Sequence, residues 1–247
     1  MDVNWNPWHG CKKISEGCRN CYVYRQDAHN DKDGSIVSKT ANFNLPLKLN
    51  RQKSYKIPPQ TLVCTCFTSD FLLDEADKWR DEVWNMIEKR QDLTFLFFTK
   101  RIDRFDVCKP ANWGDGYENV VVGCTCENQK AADYRLPIFK SLPIKHKLII
   151  LAPILERIDL RNHLCEEYKE VSVGGESGTE ARVCNYEWVL DIRNQCIEND
   201  ITFTYHQTGA KLFYNNRLYY IRRQFQHSQA AKAGINFLSS KPYRQRI

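Results

Sequence analysis

The chain has 247 residues, 42% of them hydrophobic and 27% charged, with a formal net charge of +6 and 11 cysteines. This is the composition of an ordinary globular protein, which excludes a low-complexity chain, and no run approaches the roughly 20 apolar residues of a membrane helix. The length suits a single α/β barrel unit. Eleven cysteines, an odd number unevenly placed and with no apolar leader after Met1, point to a reducing cytoplasm with metal-bound or buried thiols and no membrane partner.

The most informative segment comes first in the chain. Trp5, Asn6, Pro7, Trp8, His9 and Gly10 lead into Cys11, and Cys18 and Cys21 follow at a C-x6-C-x2-C spacing. Three thiolates fall one short of a closed zinc shell or of a four-cysteine cluster. The spacing admits three readings: a 4Fe-4S cluster with one open iron, a zinc site completed by His9, or thiols without a metal. An open iron has room to chelate the amino and carboxylate groups of S-adenosylmethionine. Trp5 and Trp8 either shield such a site from water or pack in the core.

Downstream, β-branched and aromatic runs at 61–67, 94–99, 119–125, 147–152, 169–174 and 201–206 read as buried strands. They alternate with segments of helical length and periodicity at 74–90, 129–141, 157–167 and 186–199, for which Asp74 and Asn185 are expected caps. A further short strand fits before Cys11. The alternation implies βαβ units and a parallel sheet. The expected fold is therefore α/β, a partial (βα) TIM-type barrel over 1–209 carrying the cysteine motif, with a basic extension of the same domain over 210–247. Cys64, Cys66, Cys124, Cys126 and Cys196 lie in apolar runs and read as small buried hydrophobes. Trp79, Trp84 and Trp188 read as helix packing.

Functional groups in parallel α/β folds gather at the carboxyl ends of strands. Those exits carry Asp70, then Lys100 and Arg101, then Glu127 and Asn128, then Ala152 and Pro153, then Glu176 and Ser177, and last His206 and Gln207. A cation pair suits a carboxylate or phosphate, and a carboxylate beside an amide suits ribose hydroxyls or an amino group. The plainer readings are surface ion pairs and a helix cap at Asn128. Gly174 and Gly175 let the backbone approach a ligand while Glu176 presents a carboxylate. The basic stretch from Arg217 to Arg246 either contacts phosphates or is a solvated surface.

Taken together, several runs carry a family resemblance: Trp5 to Cys11, Ser15 to Tyr22, Thr65 to Phe71, Phe98 to Arg101, Glu127 to Gln129, Ala132 to Arg135, Val173 to Gly178, and Gln207 to Gly209. The chain resembles a three-cysteine-motif family of phage proteins of unknown function, itself similar to divergent radical S-adenosylmethionine (radical SAM) proteins. The resemblance spans about residues 3 to 237. It implies a 4Fe-4S cluster on Cys11, Cys18 and Cys21, with S-adenosylmethionine at the strand ends. Glu127, Asn128, Glu176 and Ser177 are then the cofactor-contact candidates, and Asp70, Lys100, Arg101, His206 and Gln207 the candidates for substrate binding or proton transfer. The implied activity is reductive cleavage of S-adenosylmethionine to start radical chemistry on an unidentified substrate, with an electron donor protein as partner; the basic character of the chain favours a nucleotide or nucleic acid as that substrate. The competing reading is a zinc-stabilised, non-enzymatic protein that binds nucleic acid or a partner. Two positions depart from the pattern: Ala152 stands where a Glu usually precedes the proline, and His206 where a Lys is frequent.

Overall fold

A computed structural model describes residues 2–241. Strand β1 (Val3–Trp5) pairs in parallel with β4 (Leu62–Thr65), and Trp5 sits opposite Thr65. Between them run the two-residue strands β2 (Trp8–His9) and β3 (Ser38–Lys39), which pair antiparallel, and helix α1 (Tyr22–His29). The sheet continues through β5 (Thr94–Thr99), β6 (Val120–Thr125), β7 (His146–Leu151), β8 (Tyr168–Gly174) and β10 (Thr202–Gln207). These make one seven-stranded sheet in the order β1-β4-β5-β6-β7-β8-β10, all parallel and curled into a half-barrel. Every residue of β6 is buried, as expected of a central strand covered on both faces.

The outer face of the sheet packs against helices α2 (Asp77–Lys89), α4 (Gln129–Ser141) and α5 (Tyr186–Glu198), with the short α3 (Phe105–Cys108) between β5 and β6. Side-chain alternation along the strands divides the apolar residues into two sets. Phe95, Phe97, Val120, Val122, Ile149 and Val171 face the helices in the main core. Leu96, Val121, Leu148 and Ile150 form a smaller cluster on the concave face, and Leu62, Phe67, Phe98 and Ala152 extend it. Trp5 and Trp8 belong to the main core, fully buried, with their indole N–H groups donating to the carbonyls of Phe43 and Asp70. Cys66, Cys124, Cys126 and Cys196 are buried as expected, whereas Cys64 is only partly buried, and none of the eleven cysteines forms a disulfide.

Two expectations need correction. The 157–167 segment is not a helix. Its buried Ile158 and Leu160 run along α5, where the Gln195 carboxamide accepts from the Leu160 amide at 2.6 Å and donates to the Ile158 carbonyl at 3.0 Å. One buried side chain thus supplies partners that a helix would otherwise provide. Asp74 is not a cap either: it opens a single 3-10 turn, Asp74–Ala76, whose cap position is Leu73. Asn185 does cap α5, its side chain accepting from the Glu187 amide at 3.0 Å.

Beyond Gln207, strands β11 (Lys211–Tyr214) and β12 (Arg217–Tyr220) form a hairpin whose turn residues Asn215 and Asn216 have φ of 49° and 55°. With β9 (Cys184–Asn185) this hairpin builds a separate three-stranded sheet, followed by α6 (Gln226–Lys232). No helix among the described residues is long and apolar enough to cross a membrane.

Candidate functional site

The cysteine segment is a loop that leaves β1 and crosses the carboxyl ends of the strands. Its entry is set by Gly10, which has φ of +90° and approaches the Ile36 carbonyl so closely that any Cβ would collide with it. The Cys11 amide donates to Gly34 O at 2.9 Å, and the Gly10 carbonyl accepts from the Ser69 hydroxyl after β4. At the exit of β5, Arg101 Nη2 donates to Lys12 O at 2.6 Å and Nη1 lies 3.8 Å from the Cys11 sulfur. Beyond β6, Glu127 Oε1 accepts from the Gly17 amide at 3.4 Å. After β8, Glu176 Oε2 accepts from Asn20 Nδ2 at 3.0 Å, and the Arg25 guanidinium donates to the Ser177 carbonyl and hydroxyl. The exit of β7 contributes Ala152, whose methyl joins the apolar cluster of the concave face.

Each anchoring side chain is itself held. Asp70 accepts from Thr99 Oγ1 at 2.7 Å, from the amides of Leu72 and Lys100 at 3.0 Å, and from Arg101 at 3.1 Å, so both of its oxygens are engaged. Glu127 is buried against Arg135 of α4 at 2.8 Å. Burial pushes its carboxyl upward, but Arg135, the Ser15 hydroxyl and Lys100 outweigh that and hold it below the usual carboxylate range. Glu176 follows the same pattern: Arg182, by side chain and amide, and Asn20 overcome its desolvation. Gly175 brings β8 against β10, because a Cβ there would strike the Thr208 carbonyl.

The three thiols differ in character. Burial, reinforced by the Asp70 charge, pushes Cys11 up to about 12 despite Arg101. Burial acts the same way on Cys18, yet Lys100, the Ile14 and Ser15 amides and the Ser15 hydroxyl bring it below its ordinary value. All three are half-buried, and burial together with the charges of Cys11, Cys21, Asp33 and Cys18 raises the Tyr24 phenol. Among the described residues, no group of three or more His, Cys, Asp or Glu stands gathered as a metal-binding cluster. As donors, three thiols near two cations still suit a soft or borderline metal centre, since cations favour the thiolate form that binds it. His9 Nε2 is bonded to Asp27 at 2.8 Å, and so that nitrogen is already committed.

The structure thus brings Asp70, Lys100, Arg101, Glu127, Glu176 and Ser177 around the cysteine loop. Asn128 is apart, its side chain accepting from the Ala131 amide as the cap of α4. Gln207 bridges Gly175 O at 2.6 Å and Arg223 at 2.9 Å, whereas His206 is exposed and packs edgewise on His227. Local desolvation and the neighbouring His227 and Arg223 lower its imidazole below the ordinary value, so the His206 ring is held toward neutrality. Sequence reasoning missed Asn20, Arg25, Arg135 and Arg182 as supports of the loop. Asn20 and Arg135 stand in the motifs that carry the resemblance, which was the one signal for them.

Over residues 1–242 the sequence matches a family described as protein of unknown function (DUF5131). The chain belongs to that family. Neither the curated proteins nor the solved structures contain a match. DUF5131 carries no assigned activity, so radical chemistry and a phage origin do not follow from membership.

Proposed function

We propose that this DUF5131 protein is a radical SAM-type enzyme whose Cys11, Cys18 and Cys21 hold a 4Fe-4S cluster above the strand ends. The observation that carries this reading is the anchoring of the cysteine loop by side chains from three strand exits of one parallel sheet, Arg101 after β5, Glu127 after β6 and Glu176 after β8. When bound and reduced, a three-thiolate cluster supplies an electron at its open iron for cleavage of the S-adenosylmethionine sulfonium bond.

The chain's own residues prepare that place. Arg101 and Lys100 supply positive charge beside the sulfurs, which lowers the cost of collecting three thiolates at one point. Glu127 and Glu176 act as positioning residues through Gly17 and Asn20. Asp70 fixes the Arg101 guanidinium. Leu96, Val121, Leu148 and Ile150 on the concave face would give a group bound at the strand exits an apolar base. Loading requires the three side chains to close on the metal.

The test is anaerobic reconstitution with iron and sulfide, followed by reduction with S-adenosylmethionine present. Uptake of about four irons per chain and release of 5′-deoxyadenosine and methionine are expected, both lost in a Cys18→Ser, Cys21→Ser variant. Stoichiometric zinc with no iron uptake would overturn the reading in favour of a zinc-stabilised binding protein.

A further inference from the structure

The C-terminal hairpin builds a second concavity, independent of the cysteine loop. Leu212 pairs with Tyr219 and Tyr214 with Arg217 across β11 and β12, which puts these four side chains on one face. Between that face, the end of β10 and α6 lies a cavity of about 710 Å3. Tyr186, Tyr214, Tyr219, Tyr220 and Phe225 form its aromatic wall, and Arg222 and Lys232 stand in the same lining.

The wall is not core. Tyr214, Tyr219, Tyr220 and Phe225 are 36%, 39%, 74% and 45% exposed, an unusual concentration of open rings on one short stretch. Tyr186 holds Tyr214 edge-on at 4.8 Å between centroids, and the Arg217 guanidinium lies 5.5 Å from the Tyr219 ring centre. Tyr205, 3% exposed, also lines the cavity, and its hydroxyl has no hydrogen-bond partner. The buried carboxamide oxygen of Gln226 is likewise unpartnered, next to Ile221 and Thr208 of the lining. Buried polar atoms are normally satisfied, so the Tyr205 hydroxyl in the lining is short of a partner that a polar ligand or water would provide.

Charge decides the class of ligand. From residue 201 to the end the sequence has eight Lys and Arg and no Asp or Glu, so the excess positive charge of the chain belongs to this region. Exposed rings interleaved with cations and free of acidic neighbours match a single-stranded polyanion whose planar bases stack while its phosphates meet Arg and Lys. A purely apolar partner would leave the cations without a role.

We propose that this cavity binds single-stranded nucleic acid, an unstacked base lying against Tyr214, Tyr219 and Phe225 and the flanking phosphates on Arg217, Arg222 and Lys232. The base edge meets the floor near the Tyr205 hydroxyl. A duplex, with its bases already stacked, cannot make this contact. The binding needs no metal at the cysteine loop and therefore stands or falls separately from the radical SAM reading.

The experiment is fluorescence anisotropy of the full metal-free chain with fluorescein-labelled 12-nucleotide oligouridylate, oligothymidylate and a duplex of equal length. At least one single strand is expected to bind about tenfold more tightly than the duplex, and the tighter of the two identifies RNA or DNA as the source. Tyr214→Ala and Tyr219→Ala, both at exposed positions, are each expected to weaken it about tenfold, and Arg222→Ala to reduce the slope of log affinity against log salt by about 0.7. Absence of single-strand binding, equal affinity for duplex, or affinity unchanged by the tyrosine variants would overturn the proposal. So would self-association through the exposed β12 edge that Tyr220→Ala abolishes while no oligonucleotide binds.

Discussion

Glu127 concentrates the chemistry of the site in one side chain. It receives Arg135 on one oxygen and the backbone of the cysteine loop on the other, from a fully buried position. Removing its charge leaves Arg135 buried without a counter-ion, so Glu127→Gln is expected to cost about 3 kcal/mol at neutral pH, measured by urea unfolding. Because the folded carboxyl titrates below its unfolded value, this contribution is complete above the ordinary carboxylate range and is lost as pH falls through the lower folded value. The gap between variant and parent should close in acid. Glu127, like Asp70, Arg101 and Glu176, was legible from the strand-exit rule, because a parallel sheet presents such positions whatever surrounds them. Arg135, Arg182 and Arg25 were not, since each reaches its partner only after α4, the loop after β8 and α1 have docked.

At the scale of elements, local pattern succeeded where an element carries its own partners. The span expected for α4 is the observed one, because Asn128 caps it and its apolar positions face the sheet. The 157–167 segment misled because Leu160 and Leu164 are spaced as on a helix face, while the partner that holds Ile158 and Leu160 extended, Gln195, comes more than 30 residues later. The β11–β12 hairpin was readable in principle: the Asn215-Asn216 pair with both φ positive is a two-residue turn signal between aromatic runs. Two predictions belong here. Asn185→Ala removes the α5 cap and should lower stability by about 1 kcal/mol in thermal or urea melts. Gly10→Ala forces a Cβ into the Ile36 carbonyl, and should raise hydrogen exchange across residues 11–21 while α4 and α5 stay protected.

As a whole molecule, the seven-stranded half-barrel lays the cysteine loop across the carboxyl ends of its strands. The parallel order was predictable from alternating strands and helices, but which strand exits would hold the loop depended on tertiary packing. Ala152 shows why this matters: at the one exit among β4 to β8 where the loop has no side-chain anchor, the chain presents a methyl to the apolar concave face. The central claim is that the loop over this half-barrel holds a cluster with one iron open to S-adenosylmethionine. Electron paramagnetic resonance of the reduced, anaerobically reconstituted protein tests it most directly. The account predicts a cluster signal that changes when S-adenosylmethionine is added and is absent from the Cys18→Ser, Cys21→Ser variant; a signal indifferent to S-adenosylmethionine, or none at all, would contradict it.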